Sequence, residues 1–509
     1  MPKRNLRYEM AHLYERFSMD RAHAEHVADL CDRVFLELPH LHGLTKTCRR
    51  LVQMTALLHD IGEAGGKVDH AAGGARRLRR TRIPWIPSGW KPIIAQAVEL
   101  HSTRSDVGAF LGRVTKERTA ELALAGRVAA ILRIGDGLDH CRQQDTGIAA
   151  IVDDGQDVEI HLTPSPHAAE NARFAMRKID LWNRLALRPI HRIEVTGGRA
   201  AALAVARPSQ PVTETARRIL QRQFEQFVSR EYGINYRDDP EYIHEMRVAI
   251  RRIRSAIQAF RKYFGGVPKE WDKKVSGLAE HLGSVRDSDV LLGCLEDYAG
   301  QAPRSHRPVL RNIIDARKRR RQAEYRHLTA VFAGRAYRDI RSRFRQIIRP
   351  QAGPSAGRSG KKRLARPAWR EARRSLRQYL ERLLRHGPRL KRLSPRQQHR
   401  LRIDCKRLRY LAEFFQDFYG RQFQDMIETT VKLQDLLGTV HDSYVYTDWL
   451  QKEARRLGGK GDNAIQAMAE HLRQERRECL GRAGRIWRSL GSRRSRRRLF
   501  GVIKSPSRI

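Results

Sequence analysis

The amino-acid sequence predicts a mainly α-helical protein with two domains, the second of which is an internally duplicated helical bundle. Apolar residues recur at helical spacing through most of the chain, two motifs recur at one offset, and positive charge is concentrated in the second part. At 509 residues the chain exceeds the length at which a single core usually stops growing. More than one domain is therefore expected.

The first domain is expected at residues 1–206 and should be mostly helical with a small sheet. The segment 148–163 (GIAAIVDDGQDVEIHL) predicts a β-hairpin turning at Asp154-Gly155, because Asp-Gly favours a type I′ turn. The other elements predicted in this domain are helices at 20–38, 46–60, 115–139 and 168–186 and a strand at 191–196.

The balance of charge changes near residue 210. Residues 1–210 carry 31 Lys and Arg against 24 Asp and Glu, whereas residues 211–509 carry 69 against 32. Because Pro208 and Pro211 interrupt the sequence there, we place a linker at 207–211. The formal charge of +44 predicts an anionic partner, whether nucleic acid, anionic lipid or a phosphate polymer.

Two motifs of the second part recur with a common offset of 155 residues, which indicates an internal duplication. HEMRVAIRRIR at 244–254 matches HRLRIDCKRLR at 399–409, and LGSVRDSDVLLGCL at 282–295 matches LGTVHDSYVYTDWL at 437–450. The predicted segments are a first repeat at 212–349, a Gly, Pro and Ser linker at 350–369, a second repeat at 370–495 and a basic tail at 496–509. We expect the tail, with the residues just before it, to be disordered.

The first motif of each repeat predicts a helix with one basic face and one apolar face. At about 100° per residue, the basic side chains of each copy fall within an arc of roughly 80°. The basic faces consist of His244, Arg247, Arg251 and Arg254, and of His399, Arg402, Lys406 and Arg409. The apolar faces consist of Met246, Ile250, Ile253, Ile257 and Phe260, and of Leu401, Cys405, Leu408, Ala412 and Phe415.

The composition of the basic faces favours a phosphate ligand. Solvated helix faces usually mix charges of both signs, whereas these stripes carry no counter-charge of their own. Arginine forks bind phosphate oxygens in a bidentate manner. Nucleic-acid sites interleave aromatic residues on which bases stack, and the aromatic residues here fall nearer the packing side. Polyphosphate is therefore favoured, with nucleic-acid binding and a merely solvated face as alternatives.

These motifs resemble the two halves of the CHAD domain, the conserved histidine α-helical domain, over about residues 212–495. The resemblance implies two antiparallel helical bundles around a basic central channel, inorganic polyphosphate as ligand, and a place on polyphosphate granules. Asp287 and Asp442 would lie near the channel and orient basic residues. The residues that the resemblance assigns to phosphate are His244, Arg247, Arg251, Arg252, Arg254, Arg286, His399, Arg402, Lys406, Arg407, Arg409 and His441.

Histidine and aspartate residues of the first domain favour a metal site. Imidazole with carboxylate suits a divalent ion such as Mn, Fe, Zn or Mg, which lowers the pKa of bound water and supplies hydroxide to phosphorus. The candidate ligands are His59 and Asp60 in LLHDIG, His23, His70, His101 and Asp136. The alternative is a vestigial site whose histidines fill ordinary core or surface positions.

This order of residues resembles the HD-domain metal-dependent phosphohydrolases. The resemblance implies His23, His59, Asp60 and Asp136 as core ligands, with His59 and Asp60 catalytic, and His70 and His101 as ligands of a second metal. Residues 8–200 resemble the C-terminal HD-type region of the exopolyphosphatase and guanosine pentaphosphatase family. The actin-like ATPase-fold domain that carries catalysis there has no counterpart here, so exopolyphosphatase activity does not follow.

The leading expectation is a polyphosphate-binding domain coupled to an HD phosphohydrolase that acts on a phosphate ester or anhydride, either polyphosphate itself or a nucleotide. A second hypothesis is a granule-associated binding protein without enzyme activity, whose HD domain is structural or senses a nucleotide. A nucleic-acid-binding protein is the third. The six scattered cysteines and the lack of a long apolar run favour the cytoplasm and no membrane partner.

Overall fold

We describe a computed structural model of the chain. By internal packing the chain divides into two compact units, Met1–Val205 with Gln221–Ala249, and Ala206–Leu220 with Ile250–Ile509. The first unit thus takes in a short segment beyond the proline-rich linker. The structure describes residues 6–63, 70–117, 119–196, 208–235, 239–264, 269–348, 365–386, 390, 392–419, 421–458 and 462–504.

The first unit is built mainly from helices that enclose one apolar core. The helices predicted at 20–38, 46–60 and 115–139 are confirmed as α2, α3 and α7, and the one at 168–186 is divided in two at Ile179. The helices are α1 Leu6–Arg16, α2 Arg21–Glu37, α3 Cys48–Leu58, α4 His70–Arg80, α5 Lys91–Glu99, α6 Val107–Glu117, α7 Ala120–Gly137, α8 Ala168–Lys178 and α9 Asp180–Leu185.

Helix α7 is the centre of this unit because it is apolar on nearly every side. Its residues from Ala120 to Gly137 are almost all buried, as expected of a helix without a polar face. Helices α2, α3, α5, α8 and α9 pack around it. Ends of two of these helices are fixed by side-chain caps, from Asp20 to the N–H of His23 and from Thr119 to the N–H of Leu122.

A three-stranded sheet completes the first unit, with strands β1 Ile148–Asp153, β2 Val158–Leu162 and β3 Ile190–Val195. Strands β1 and β2 form the predicted antiparallel hairpin, and β3 joins β2 in parallel after the crossover through α8 and α9. The predicted type I′ turn is wrong. It needs positive φ at both central residues, and of the two residues only Gly155 has positive φ, at 92°.

The second unit is helical throughout the part that the structure describes. Helices α11 and α16, which carry the two copies of the basic motif, are 20 residues long each. The helices are α10 Val212–Val228, α11 Glu241–Phe260, α12 Lys269–Gln301, α13 Arg307–Ala333, α14 Arg335–Ile348, α15 Ala368–His386, α16 Pro395–Phe414, α17 Arg421–Arg456, α18 Asp462–Gly491 and α19 Arg493–Lys504. Helices α10 and α11 contribute residues to both units.

An apolar core in the second unit joins helices from both repeats. Leu295 and Leu310 of the first repeat and Leu450 and Met468 of the second are fully buried in it. The apolar faces predicted for α11 and α16 are confirmed, since all ten of their residues are buried. The duplicated sequence therefore builds one packed bundle, in which each repeat supplies part of the core.

The segments around the repeats differ in part from expectation. Most of the predicted linker at 350–369 lies outside the described residues, and α15 already begins at Ala368. For the part of the C-terminal tail that the structure describes, the expected disorder is wrong, because residues 493–504 form α19 and bury Leu499 and Ile503 against the bundle. Among the described residues, no helix has the length and hydropathy needed to span a membrane.

Candidate metal centre and anion-binding helices

All six histidine and aspartate residues predicted as metal ligands lie in one cluster. His23 is in the first turn of α2, His59 and Asp60 follow the end of α3, and Asp136 lies near the end of α7. His70 begins α4, and His101 follows α5. Five different helices therefore bring the cluster together, although the residues are up to 113 positions apart in the sequence.

The Nε2 atoms of the four histidines face the two carboxylates. Asp60 is shared, because its Oδ2 lies 3.4 Å from Nε2 of His59 and its Oδ1 lies 3.8 Å from Nε2 of His101. Asp136 Oδ1 lies 3.6 Å from Nε2 of His23. Three overlapping sets of ligands follow: His23, His59 and Asp60; His59, His101 and Asp136; and Asp60, His70 and His101.

Hydrogen bonds at the far side of each ring fix its direction. Nδ1 of His59 lies 2.7 Å from the carbonyl of Ala56, and Nδ1 of His101 lies 2.6 Å from that of Val98. A ring that donates from Nδ1 leaves the lone pair of Nε2 free for a cation, which is the usual arrangement of histidine ligands. These donors fit a divalent metal ion, with nitrogen and oxygen ligands and outer hydrogen bonds already in place.

Charged neighbours hold the carboxylates ionised although the site is buried. Burial favours the neutral acids, but Lys178 keeps the pKa of Asp136 well below its ordinary value. Burial likewise opposes ionisation of Asp60, and the imidazoles of His59 and His101 together with Arg142 lower its pKa. The two carboxylates are therefore ionised before any metal is considered, and each is already paired with a cation.

The pKa of His23 is raised. Burial lowers it, but the carboxylates of Asp136 and Asp139 outweigh burial and raise the pKa of His23 to about 9. Asp139 is fully buried, and its Oδ2 lies 2.8 Å from Nδ1 of His23. A metal ion bound by His23 in this cluster would displace the proton that His23 otherwise carries.

Sequence reasoning missed three charged residues that act on the cluster: Asp139, Arg142 and Lys178. Arg142 donates from Nη2 to Asp60 Oδ2 at 2.6 Å, and Lys178 donates to Asp136 Oδ2. Arg142 and Gln144 both have left-handed backbone angles, with φ of 55° and 52°. Such angles cost energy in non-glycine residues and are concentrated at functional sites. Nothing in the local sequence around Arg142 or Lys178 signals these contacts.

Arg133 ties the surrounding helices together beneath the cluster. Its side chain is 1% exposed, and Nη1 donates to the carbonyls of Leu100 and Ser102 at 2.8 and 2.7 Å. Its Nε donates to the carbonyl of Lys178 at 3.1 Å. One buried guanidinium thus positions the residues on either side of His101 and the backbone of Lys178.

Two other histidines of the first unit, His40 and His42, have structural partners. Nε2 of His40 lies 2.7 Å from Asp153, and the two ring nitrogens of His42 contact the carbonyl of Phe35 and the N–H of Leu44. Burial lowers the pKa of His40 to about 4 and that of His42 to about 3. These rings are ordinary core histidines, of the kind that the alternative of a vestigial site expects.

In the second unit, basic residues of both repeats meet around Tyr410. The guanidinium of Arg252 lies over the Tyr410 ring, 5.6 Å from its centroid. Burial raises the pKa of Tyr410, and Arg252, Arg251 and Arg409 act against this rise. Phe260 and Phe415 pack edge to face, with centroids 5.8 Å apart. The C-terminal halves of α11 and α16 therefore lie side by side.

The basic faces are not free of counter-charge, contrary to expectation. Glu413 follows Arg409 by four residues on α16 and accepts hydrogen bonds from Arg409 and from Arg252 of α11. A carboxylate that bridges one arginine from each repeat ties the two helices together. Arg252 and Arg409 are thus already paired at this end of the basic faces.

Residues of α12, α16 and α17 lie close to one another at a second place in this unit. Nδ1 of His399 lies 3.3 Å from Nδ1 of His441. Burial and the charges of Arg402 and Lys406 lower the pKa of His399. Burial, Arg402 and His399 lower the pKa of His441 to about 4, although Asp287 acts in the opposite direction. Both histidines are therefore neutral at neutral pH, held so by the surrounding positive charge.

The remaining predicted residues have less contact with these points. Arg254 is exposed, and Arg286 and Arg407 are partly buried. Arg286 lies close enough to Tyr446 to counter the rise that burial causes in the pKa of that phenol. His244 and Arg247 lie on the part of α11 that belongs to the first unit.

Models of two known families match parts of the chain. A model of the HD domain matches residues 21–132, and a model of the CHAD domain matches residues 218–451. The chain contains an HD domain and a CHAD domain. The HD match includes His23, His59, Asp60, His70 and His101, while Asp136 lies four residues beyond it. The CHAD match includes both copies of each duplicated motif.

Two solved structures are similar to the chain over somewhat more than half of its length. The crystal structure of the CHAD domain from the plant Ricinus communis has 22% sequence identity and a TM-score of 0.47, covering 56% of this chain and 94% of that one. PptA from Streptomyces chartreusis has 15% identity and a TM-score of 0.39, covering 55% of this chain and 99% of that one. No curated protein matches the chain.

Proposed function

We propose that the CHAD domain binds inorganic polyphosphate. The supporting observation is that arginines of both repeats, Arg251 and Arg252 of α11 and Arg409 of α16, surround one point. All three side chains are partly buried. A phosphate chain bound there would be partly removed from water, where attraction between opposite charges is stronger than on an open surface.

A polymer of phosphate alone suits this surface better than a nucleic acid. Tyr410, the aromatic residue between the arginines, is 4% exposed and covered by Arg252, so it offers no free face for a base. Single-stranded nucleic acids bind to basic grooves largely through such faces. A chain of phosphates needs positive charge and arginine forks but no stacking surface.

Competition between polymers tests this assignment. Labelled polyphosphate should be displaced by unlabelled polyphosphate at lower phosphate concentration than by single-stranded RNA or DNA, at equal ionic strength and at several salt concentrations. Displacement by nucleic acid at equal or lower phosphate concentration would make the chain a nucleic-acid-binding protein instead.

We further propose that the HD domain is a metal-dependent phosphohydrolase. The supporting observation is the convergence of four imidazole Nε2 atoms and two ionised carboxylates in one buried cluster. His23, His59, Asp60 and Asp136 would hold one divalent ion, and His70 and His101 would hold a second that shares Asp60. When bound, such an ion supplies a hydroxide at neutral pH for attack on phosphorus.

The chain's own cations give the site a means of binding phosphate. Arg142 is 34% exposed at its side chain and reaches Asp60, while Lys178 reaches Asp136. Once the carboxylates turn to a metal, both cations can donate to phosphate oxygens instead. Substrate phosphate would then be fixed between Arg142 and Lys178, with the ester or anhydride bond to be cleaved near His59 and Asp60.

Metal content and hydrolysis should be measured together. The wild type should retain a divalent ion after dialysis and hydrolyse at least one member of a set containing polyphosphate, guanosine nucleotides and p-nitrophenyl phosphate. Asp60→Ala should lose both, whereas Asp448→Ala, an exposed aspartate of the CHAD domain, should lose neither. A wild type with no metal and no activity would favour the second hypothesis, a binding protein with a structural or nucleotide-sensing HD domain.

The two activities together suggest a protein that holds polyphosphate in one domain and cleaves a phosphate compound in the other. The polymer itself is one candidate substrate, and a nucleotide is the other. The cytoplasm and the surface of polyphosphate granules are the proposed location.

A further inference from the structure

The three-stranded sheet of the first unit carries another group of metal-ligating side chains. Glu159 and His161 lie on β2, and Glu194 lies on β3 in register with His161. Residues two positions apart on a strand point to the same face of a sheet. All three side chains therefore share one face, and none of them belongs to the six-residue cluster.

His161 is buried without a hydrogen-bond partner on either ring nitrogen. Its exposure is 2%, and both Nδ1 and Nε2 are unsatisfied. The buried rings of His42 and His59 show what is usual in this domain, since both form hydrogen bonds with backbone groups. A buried polar group without a partner is costly and needs an explanation.

The two glutamates lie just beyond hydrogen-bond distance of this ring. Nε2 of His161 is 3.5 Å from Glu159 Oε2, and Nδ1 is 3.6 Å from Glu194 Oε1. One ring nitrogen and one carboxylate oxygen of each glutamate lie within 4.8 Å of one another. The glutamate side chains are 34% and 37% exposed, which leaves a route by which an ion could enter.

We propose that Glu159, His161 and Glu194 form a second divalent-metal site, which joins strands β2 and β3. One imidazole and two carboxylates are a donor set for Zn²⁺, Mn²⁺ or Fe²⁺, with water completing the coordination. The ion satisfies one ring nitrogen of His161 and neutralises the two glutamates. The ion links β2 and β3, which are the only parallel pair among the described strands. Its role is therefore structural.

Arg192 is the competing cation at this site. Its Nη1 lies 3.4 Å from Glu194 Oε2, while the other carboxylate oxygen of Glu194 faces His161. The Arg192 side chain is 53% exposed and can turn to water at little cost. Arg192→Gln should therefore strengthen metal binding at the sheet.

Zinc stoichiometry of the full-length protein tests the proposal. The protein is first stripped of polyanions in high salt and of metals with a chelator, then dialysed against Zn²⁺. In the background His59→Ala with Asp60→Ala, which removes two of the six residues of the first cluster, one Zn²⁺ per chain should remain. Adding Glu159→Gln with Glu194→Gln should lower the affinity for this ion at least about tenfold.

His191→Ala is the matched control, because His191 lies on β3 but is exposed, and it should leave the ion in place. As a second measurement, Zn²⁺ should raise the unfolding temperature of the His59→Ala, Asp60→Ala background but not that of its His161→Gln derivative. Should the background hold no Zn²⁺, or hold it equally after the glutamate changes, the proposal is overturned.

Discussion

Asp60 and Asp136 each contact both a cation and histidine rings. Asp136 Oδ2 accepts from Lys178 while its Oδ1 faces His23. Asp60 Oδ2 accepts from Arg142 and also lies near His59, while its Oδ1 faces His101. The buried carboxylates are therefore stable before a metal binds, because their charges are paired. In the proposed function, a metal ion would compete with these ion pairs for the carboxylates, and substrate phosphate would later take the place of the carboxylates beside the two cations.

The buried carboxylate of Asp139 should control metal affinity through His23. Asp139→Asn removes the charge that makes His23 a strong ligand, and the affinity for Mn²⁺ or Zn²⁺ should fall about 10- to 100-fold. Titration calorimetry measures the affinity. Asp145→Asn is the control, since Asp145 contacts His167 at 2.8 Å but lies outside the cluster. Equal losses in both variants would assign the effect to the loop and not to His23.

Arg142 should have opposite effects on metal binding and on catalysis. Arg142→Ala removes a cation that competes for Asp60, so metal affinity should rise. It also removes a phosphate donor, so kcat/KM should fall about 10- to 100-fold, mainly through KM, with partial recovery in Arg142→Lys. Arg173→Ala, an exposed arginine on α8, should change neither quantity. A fall in metal affinity with Arg142→Ala would contradict the proposed competition.

At the scale of elements, α16 and α17 place two neutral histidines within a cationic surface. His399 and His441 have lowered pKa values, to about 4 for His441, because burial and positive neighbours oppose their protonation. Protonation of these rings therefore costs the ligand-free bundle stability below pH 6.5. A bound polyanion, as proposed, would reverse this effect, because its negative charge would raise both pKa values.

Polyphosphate binding should consequently take up protons and strengthen as the pH falls from about 7.5 to 5. The affinity should rise by up to about tenfold per pH unit for each proton taken up. Fluorescence anisotropy at fixed ionic strength measures this slope. His399→Gln with His441→Gln should flatten it, whereas His12→Gln, an exposed histidine in α1, should not. A slope that the double variant leaves unchanged would exclude these two rings as its source.

The elements that the sequence predicted best are those fixed by local pattern. The amphipathic helices α11 and α16 follow from spacing, and the hairpin follows from Asp154-Gly155, because each depends on neighbouring residues. The helix α19 was missed because its sequence is rich in arginine, and its two buried residues, Leu499 and Ile503, give only a weak apolar pattern. The counter-charge from Glu413 was also missed, because one of its two arginine partners is Arg252, which lies 161 positions away in the sequence.

The HD cluster shows the same limit for a site. Its six histidine and aspartate residues could be found in the sequence because histidine and aspartate in that order form a known pattern. Arg142 and Lys178 could not, since their roles depend on how a loop and the end of α8 fold against the cluster. Asp139 lies within the same GDGLDH segment as Asp136, and only the three-dimensional structure shows that it faces His23.

At the scale of the whole molecule, positive charge is segregated into the CHAD part, which weakens the compact state unless anions relieve the repulsion. The repeats bring this charge together instead of spreading it, since α11 and α16 carry it side by side. A ligand with many regularly spaced negative charges gains from such an arrangement, and its affinity should fall steeply with added salt.

The most direct test of the central claim reverses one charge in each repeat. Arg251→Glu with Arg402→Glu should weaken polyphosphate binding at least about 100-fold at fixed salt while circular dichroism shows unchanged helicity. The control Arg319→Glu with Arg485→Glu alters two exposed arginines of the same unit by the same net charge, and should weaken binding less than about threefold. Equal losses in the two variants would contradict a site built from the duplicated basic faces and leave only attraction by the overall charge.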